Sequence, residues 1–175
     1  MYPELQIKKA DVKDATALKK ISCETFSETF ASQNTKEDMD LFLKECFNLE
    51  AITKELNDKD TTYYMAFVKG EIAGYVKIKK ASEKGLPPGN CMEIARIYVY
   101  EKFHNKKVGA ALMEHVIRLA QKDHVDILWL GVWEHNPKAI EFYKRWGFDV
   151  FGEHVFRLGT DDQNDLLMCK HLVKE

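Results

Sequence analysis

The stretch MEIARIYVYEKFHNKKVGAALMEHVIRL, Met92 to Leu119, decides the fold of this chain. Its first part alternates apolar and polar residues and is rich in β-branched side chains, which predicts a strand. Its second part repeats apolar residues at helical spacing, which predicts a helix with one buried stripe. A polar turn, Glu101–Lys107, joins the two and carries three lysines and a histidine. The first N–H groups of a helix lack partners within it and its dipole favours an anion there, so the arrangement predicts a phosphate-binding loop.

The composition excludes several classes of protein. The chain has 175 residues, 45% of them hydrophobic and 31% charged, which is typical of a folded protein and predicts a single domain, residues 1–175. Its net charge of −2 gives no general reason to expect a nucleic acid partner. Cys23, Cys46, Cys91 and Cys169 lie far apart without a C-x-x-C spacing, so we expect reduced thiols rather than disulfides or a metal site. No signal peptide or membrane-spanning stretch is visible, and the expected location is the cytoplasm.

The rest of the chain predicts strands and helices of ordinary length. The predicted strands are Leu5–Lys9, Tyr63–Val68, Ile72–Lys79, Ile127–Val132, Phe148–Phe156 and Leu166–Leu172, the last two around a polar turn, Gly159–Asp165. The predicted helices run from the cap Asp11 to Phe30, onward from the capping pair Thr35 and Asp38, over Leu49–Leu56, and over Pro137–Trp146 behind the cap Asn136. A strand, a crossover helix and another strand imply that Ile127–Val132 lies parallel to the strand at Met92, with a right-handed connection.

Three passages resemble the GCN5-related N-acetyltransferase (GNAT) superfamily. IYVYEKFHNKKVGAAL, residues 97–112, is similar to the acetyl-CoA pyrophosphate loop, a hydrophobic strand followed by Q/R-x-x-G-x-G/A. LGVWEHNPKAIEFYKRWGF, residues 130–148, is similar to the second motif, with N-x-x-A-x-x-F-Y and a closing G-F. ETFSETFASQN, residues 24–34, with LGVWEHN resembles more narrowly the PaiA-type spermidine/spermine acetyltransferases of bacteria. The resemblance implies an α/β (α+β) GNAT fold: a mixed, mostly antiparallel sheet with a central parallel pair splayed into an acetyl-CoA cleft, and helices on both faces.

The first motif departs from the family pattern at two positions. His104 stands at the Q/R position and Lys107 at the first glycine, whereas Gly109 keeps the second glycine. Glycine lets backbone N–H groups approach phosphate closely, and a lysine at a position of positive φ costs roughly 1–2 kcal/mol. We therefore expect weakened but retained cofactor binding, with the alternative that the lysines of the turn only face solvent.

The same resemblance implies acetyl-CoA, or coenzyme A, as the co-substrate and no metal. Backbone groups of the strand are expected to hold the pantetheine arm and the thioester carbonyl, and the turn with the first helical residues to cradle the pyrophosphate. The expected cofactor contacts are Ile97, Tyr98, Val99, Asn105, Lys106, Lys107, Val108, Gly109, Ala110, Asn136, Tyr143 and Arg145.

Two residues are the candidates for proton transfer. Tyr143 is the expected general acid, since its phenol has an ordinary pKa of about 10, above the value of about 8.5 for a thiol. The alternative is a core tyrosine that packs beside Phe142. Glu93 is the candidate base, because alternation places it on one strand face with Ile97 and Val99 and the resemblance puts a catalytic glutamate near this position. The alternative for Glu93 is a surface or ion-paired residue.

The expected acceptor is a small cationic amine, by resemblance a polyamine such as spermidine or spermine. Glu24 and Glu28, one helical turn apart, are expected to attract it, and Trp133 to stack on it. Weaker candidates are Asp38 and Asp40 for attraction and the Tyr63/Tyr64 pair for stacking, while His115 and His124 are expected to face solvent. The alternatives are acetylation of a protein or peptide amine, and a regulatory protein that binds acetyl-CoA without turnover. Exposed aromatic residues leave a homodimer open.

Overall fold

The computed structural model describes residues 4–173, which form one seven-stranded sheet with helices on both faces. The strands are β1 (Leu5–Lys9), β2 (Thr61–Val68), β3 (Glu71–Lys80), β4 (Cys91–Val99), β5 (Ile127–Trp133), β6 (Asp149–Leu158) and β7 (Asp161–His171). The helices are α1 (Ala15–Phe30), α2 (Lys36–Cys46), α3 (Leu49–Asn57), α4 (Val108–Lys122) and α5 (Pro137–Arg145), with single 3₁₀ turns at Val12–Asp14, Ala31–Gln33 and Glu101–Phe103. None of the helices in this part of the chain is long and apolar enough to cross a membrane.

Capping side chains fix where the helices begin. Thr35 and Asn136 accept the N–H groups of Asp38 and Ala139, which confirms both as N-caps. Asp11 accepts the N–H of Lys13, but the segment that it caps is the 3₁₀ turn that leads into α1 rather than α1 itself.

The sheet order is β1-β2-β3-β4-β5-β7-β6, and every neighbouring pair is antiparallel except β4 and β5. These two parallel strands pair at three positions only, the last of which joins Glu93 to Trp129. Beyond this point Ile94–Val99 and Leu130–Trp133 have no pairing with each other. The expected central gap between splayed parallel strands is therefore confirmed.

The two faces of the sheet bury different cores. On one face α4 and α5 pack over the aliphatic side chains of the central strands, with Leu112, Val116, Leu128 and Leu130 at 0 or 1% exposure. On the other face α1, α2 and α3 cover smaller clusters, one of which is an aromatic cluster of Phe26, Phe30, Phe42 and Phe47 that also contacts Tyr98 and Trp133. The aromatic cluster therefore lies where β4 and β5 separate.

A bulge in β4 overturns one expectation about Glu93. Lys77 pairs with Arg96 and the next residue of β3 pairs with Ile94, so Ala95 is an extra residue in β4. Ile94 and Ile97 thus both face α4, while Glu93 and Arg96 lie on the face covered by α1–α3. The prediction that Glu93 shares a face with Ile97 and Val99 was wrong because a bulge shifts the alternation by one residue.

The closing hairpin also differs from the expectation. β7 begins at Asp161, so the turn is Gly159–Thr160 and not the whole of Gly159–Asp165. The polar residues that resembled a turn are instead paired with the edge strand β6. Asp38 of α2 fixes this turn, since its Oδ1 accepts the N–H and the hydroxyl of Thr160, each at 2.7 Å.

Candidate active site

The loop before α4 presents free N–H groups at a strained backbone. Lys107 has φ +58° and Asn105 has φ +64°, and Lys107 caps α4 without a side-chain hydrogen bond. The first helical N–H bound to this loop is that of Ala111, which donates to the Lys107 carbonyl at 3.0 Å. Within residues 4–173 the N–H groups of Val108, Gly109 and Ala110 have no backbone acceptor. This is the geometry of an anion site at a helix N-terminus.

Some side chains of the loop before α4 have partners within the protein, and others do not. His104 uses Nε2 on the Val99 carbonyl at 3.0 Å, which ties the loop to the end of β4. Lys102 forms an ion pair with Glu71, and the Lys106 ammonium lies 5.5 Å from the Phe103 ring centroid. Lys107 has no ion pair in the described part of the chain.

Gly109 lies where three elements meet. A Cβ built at this position would be 3.8 Å from the Phe142 ring and 3.9 Å from Val99, which is ordinary van der Waals contact. The start of α4 therefore sits against α5 and the end of β4, beside the gap. No contact with another residue of the range 4–173 requires a glycine here.

Tyr143 projects from α5 into the core next to the gap. It is 9% exposed and packs edge-on against Phe142 and Phe148, with centroids 5.5 and 6.0 Å apart. Burial raises the pKa of its phenol above the ordinary value, so the group stays protonated through the physiological range. Its hydroxyl makes no side-chain hydrogen bond to residues 4–173. The fully buried side-chain atoms without a partner in this range belong to Ser22, Tyr75 and His115, so the Tyr143 hydroxyl is not completely enclosed. Tyr143 thus has apolar surroundings and a hydroxyl that donates to no side chain of residues 4–173.

Glu93 and Tyr98 approach the same gap from the opposite face of the sheet. Burial raises the pKa of Glu93, opposed by the charges of Lys77 and Lys79. Burial also raises the pKa of Tyr98, with Tyr75 and Tyr143 as neighbouring phenols. The Glu93 carboxylate, whose pKa is raised, therefore lies on the α1–α3 side of the gap and the buried Tyr143 phenol on the α4–α5 side, which is a suitable pair of groups for proton transfer.

The other expected cofactor contacts lie around α5. Asn136 caps the helix by accepting the Ala139 N–H at 3.3 Å, and Arg145 is exposed at its last position with no ion pair within residues 4–173. Ile97 and Val99 are half-buried on the α4 side of β4.

Glu24 and Glu28 are exposed on one side of α1 and already accept hydrogen bonds. Glu24 accepts the Tyr100 hydroxyl at 2.7 Å, and Glu28 accepts the Glu101 N–H at 3.0 Å. Together with Cys23 and Ser27 they line an open groove of about 380 Å³. The two carboxylates therefore hold α1 against the segment that leads from β4 to the loop before α4.

Trp133 ends β5 at a second groove of about 290 Å³. Its ring meets Phe30 edge-on at 5.9 Å and His135 at 5.3 Å, and Asn136 lines the same groove. This groove joins the aromatic cluster to the N-terminus of α5.

Several weaker expectations are wrong. Tyr63 is buried and bonded to Glu55, while Tyr64 faces the other side of the sheet and packs on His115 at 4.6 Å, so the two tyrosines form no stacking pair. His115 is half-buried rather than solvent-facing, although His124 is exposed as expected. The hydrogen bonds from Thr160 lower the pKa of Asp38, whose carboxylate is committed to the closing turn.

Sequence analysis missed a polar group on the α1–α3 side of the gap. Asp165 of β7 is 9% exposed and faces His154 of β6, with Nε2 and Oδ2 3.6 Å apart. The exposed Gly131 of β5 lies beside both. The pairing of β7 with both β5 and β6 brings the three together, whereas the sequence predicts a turn at Asp165.

The sequence model of the acetyltransferase (GNAT) family matches residues 17–148. The chain belongs to this family. It is 38% identical over 171 residues to an uncharacterised N-acetyltransferase of Lactobacillus delbrueckii subsp. lactis, covering 97% of this chain and 98% of that protein. It is 22% identical over 170 residues to a spermidine N(1)-acetyltransferase of Thermoplasma acidophilum, covering 95% and 96% of the two chains.

The GNAT fold is equally clear from solved structures. A PaiA N-acetyltransferase from Thermoplasma acidophilum, crystallised with coenzyme A, superposes with a TM-score of 0.79 at 21% identity over 96% of this chain and 99% of its own. The expectations of a GNAT fold and of an N-acetyltransferase that takes its acetyl group from acetyl-CoA are confirmed. Within residues 4–173 no group of three or more His, Cys, Asp or Glu side chains could hold a metal ion.

Proposed function

We propose that this GNAT protein, as a single domain of residues 1–175 in the cytoplasm, acetylates a primary amine of a small cationic molecule, with spermidine and spermine as first candidates. The observation that carries the proposal is the gap between β4 and β5, with the Tyr143 phenol on one side and the Glu93 carboxylate on the other.

Acetyl-CoA fits the α4–α5 side of this gap. The free N–H groups at the start of α4 would donate hydrogen bonds to the pyrophosphate, which Asn105–Ala110 would surround. The pantetheine arm would lie along Ile97–Val99, whose backbone edge toward β5 is unpaired, and one of these N–H groups would donate to the thioester oxygen. Asn136, Tyr143 and Arg145 would border the arm and its phosphates. The coenzyme A complex of the Thermoplasma PaiA structure supports this choice of ligand.

The reaction removes two protons from the acceptor nitrogen and adds one to the leaving sulfur. An acceptor ammonium must lose a proton before its nitrogen attacks the carbonyl carbon, and Glu93 would take that proton directly or through water. Attack forms the C–N bond and leaves a second proton on the nitrogen. As the C–S bond breaks, the leaving thiolate would take a proton from Tyr143, and the proton on the nitrogen would restore the phenol directly or through water. Burial raises the pKa of Tyr143, so its phenol is protonated when the thiolate forms.

The α1 surface supports a cationic acceptor. Glu24 and Glu28 line one groove, and Trp133 lines the other at the end of β5. Each carboxylate accepts one hydrogen bond and keeps further lone pairs for an ammonium group. The name of the Thermoplasma relative, a spermidine acetyltransferase, points to the same class of acceptor.

The test is thiol release from acetyl-CoA with a panel of amines: spermidine, spermine, a lysine-containing peptide and a peptide with a free N-terminus. We expect turnover with the polyamines and a much lower kcat/KM with the peptides. Turnover with peptides alone would replace the proposed acceptor by a protein amine. Coenzyme A binding without turnover on any amine would mean a regulatory protein.

A further inference from the structure

The α1–α3 face of the sheet carries a polar band between two apolar clusters. Toward the phosphate loop lies the aromatic cluster, and toward the other end Trp129, Leu167 and Cys169 pack together. Between them stand Gly131 on β5 and Asp165 on β7. Gly131 is exposed although β5 is a central strand, so solvent reaches the sheet at this point.

The missing side chain of Gly131 leaves a space bounded by a carboxylate and an imidazole. A Cβ at this position would lie 3.4 Å from Asp165 Oδ2 and 3.4 Å from His154 Nε2. His154 and Asp165 are direct cross-strand partners, and only 13% of the Asp165 side chain is exposed. Burial raises the pKa of the Asp165 carboxyl, and His154 opposes this shift by its charge and its hydrogen bond.

This space opens onto the gap described above. Gly131 is two residues beyond Trp129, the last residue of β5 that pairs with β4, and Trp129 is opposite Glu93. The charge of His154 acts on Glu93, and the charge of Asp165 acts on Tyr98. The same face therefore presents two carboxylates toward the region where the proposed reaction needs an ammonium group, and the charges of Lys77 and Lys79 also act on Glu93.

We propose that Asp165, positioned by His154 and facing the space above Gly131, binds the ammonium group of the acceptor amine beside Glu93. The inference rests on the proposed function, because it assigns the acceptor subsite of that same reaction. An alkylammonium in this space would supply the positive charge that a buried carboxylate needs, and Glu93 would be within reach of its proton. A larger side chain than glycine at position 131 would fill the subsite.

Two variants test the charge and the space separately. Asp165→Asn removes the charge with little change of shape. Gly131→Ala keeps every charge but fills the space, and its Cβ fits at 3.4 Å without moving its neighbours, so this variant is expected to fold. The matched control is Asp162→Asn, which breaks a cross-strand pair with Arg157 on the same hairpin at 3.9 Å, exposed and away from the gap.

The measurements are KM and kcat for spermidine, or for the best amine of the panel, and the dissociation constant of coenzyme A. We expect Asp165→Asn and Gly131→Ala each to raise the acceptor KM about tenfold or more, with coenzyme A affinity unchanged, while Asp162→Asn behaves like the parent. An unchanged acceptor KM in both test variants would reduce Asp165 and His154 to a structural pair and overturn the inference alone. Absence of turnover by the parent protein on every amine would overturn the proposed function, and this inference with it.

Discussion

At the scale of single residues, Tyr143 is the sharpest test of the chemistry. Tyr143→Phe removes the proton that the leaving thiolate needs but keeps the packing against Phe142 and Phe148. We expect kcat to fall about a hundredfold, within the range for loss of a general acid, with little change in the affinity for coenzyme A. Stopped-flow or steady-state thiol release measures the first quantity and calorimetry the second.

The control for this variant is Tyr64→Phe, which deletes a hydroxyl on the same face of the sheet but beside His115. It should keep the parent kcat. If Tyr143→Phe also kept it, Tyr143 would be a packing residue and the thiolate would be protonated by solvent.

Lys107 holds a conformation that costs free energy. Its φ of +58° is unfavourable for an L-residue by roughly 1–2 kcal/mol, whereas glycine adopts it freely at an entropic cost of about 0.5–1 kcal/mol. Lys107→Gly should therefore raise the free energy of unfolding by up to about 1 kcal/mol. Lys106→Gly, next to it but without a positive φ, should lower it. Urea unfolding midpoints measure both, and equal shifts in the two variants would show that no strain is stored at position 107.

Sequence reasoning located the individual residues of the α4–α5 side better than those of the α1–α3 side. The loop before α4 and Tyr143 each lie in a short contiguous motif that resembles the GNAT pattern, so their positions could be predicted without knowing how the strands pair. Glu93 was put on the wrong face because the bulge at Ala95 depends on how β3 pairs with β4, which local alternation does not reveal. Asp165 and His154 were overlooked for a similar reason, since they meet only through the pairing of two strands.

At the scale of elements, a substitution at the start of α4 distinguishes a residue needed for folding from one needed for ligand binding. Gly109 is in the first turn of a helix, where alanine is favoured over glycine by about 1 kcal/mol, and a Cβ there makes only ordinary contacts with Phe142 and Val99. Gly109→Ala should keep or raise stability. It should also weaken coenzyme A binding at least tenfold if phosphate approaches this backbone, as calorimetry would detect. Unchanged affinity in a stable variant would place the pyrophosphate elsewhere.

The packing of α2 against the β6–β7 turn is a contact between distant elements that the sequence did not predict. Gly159 has φ +64°, and a Cβ there would lie 2.5 Å from the Asp38 Cα. Because this is a backbone atom of α2, no side-chain rotation can relieve the overlap. Gly159→Ala should therefore lower the free energy of unfolding by several times the conformational cost alone, which is about 1–2 kcal/mol.

Gly70→Ala provides that reference value, because Gly70 has φ +79° and no atom of residues 4–173 lies within 4 Å of a built Cβ. Chemical denaturation of the two variants gives the comparison. Equal losses of stability would mean that α2 does not pack against the turn as described.

Element boundaries were predictable wherever the chain carries its own signals. The caps Thr35 and Asn136 and the apolar periods of α4 and β5 placed those elements within a few residues. The exception is the start of β7, where Asp161, Asp162 and Asn164 resemble a turn in sequence. They belong to a strand because they pair with the edge strand β6, whose outer side is open to solvent.

At the scale of the whole molecule, the gap divides the sheet into two parts, β1–β4 and β5–β7–β6, joined by three residue pairs of β4 and β5. A pantetheine arm between Ile97–Val99 and Leu130–Trp133 would link these parts, so coenzyme A should stabilise the entire fold and not its loop alone. A ligand that binds only the folded state at a hundred times its dissociation constant adds about 2.7 kcal/mol to the free energy of unfolding.

Hydrogen exchange shows where this stabilisation acts. We expect coenzyme A to slow exchange at the start of α4 and on both borders of the gap. Adenosine 3′,5′-bisphosphate, which lacks the arm, should slow it at the start of α4 only, because its phosphates reach the helix N-terminus but nothing enters between the strands. If coenzyme A and the bisphosphate gave the same pattern, the arm would lie outside the sheet, and neither Tyr143 nor Glu93 would be near the thioester.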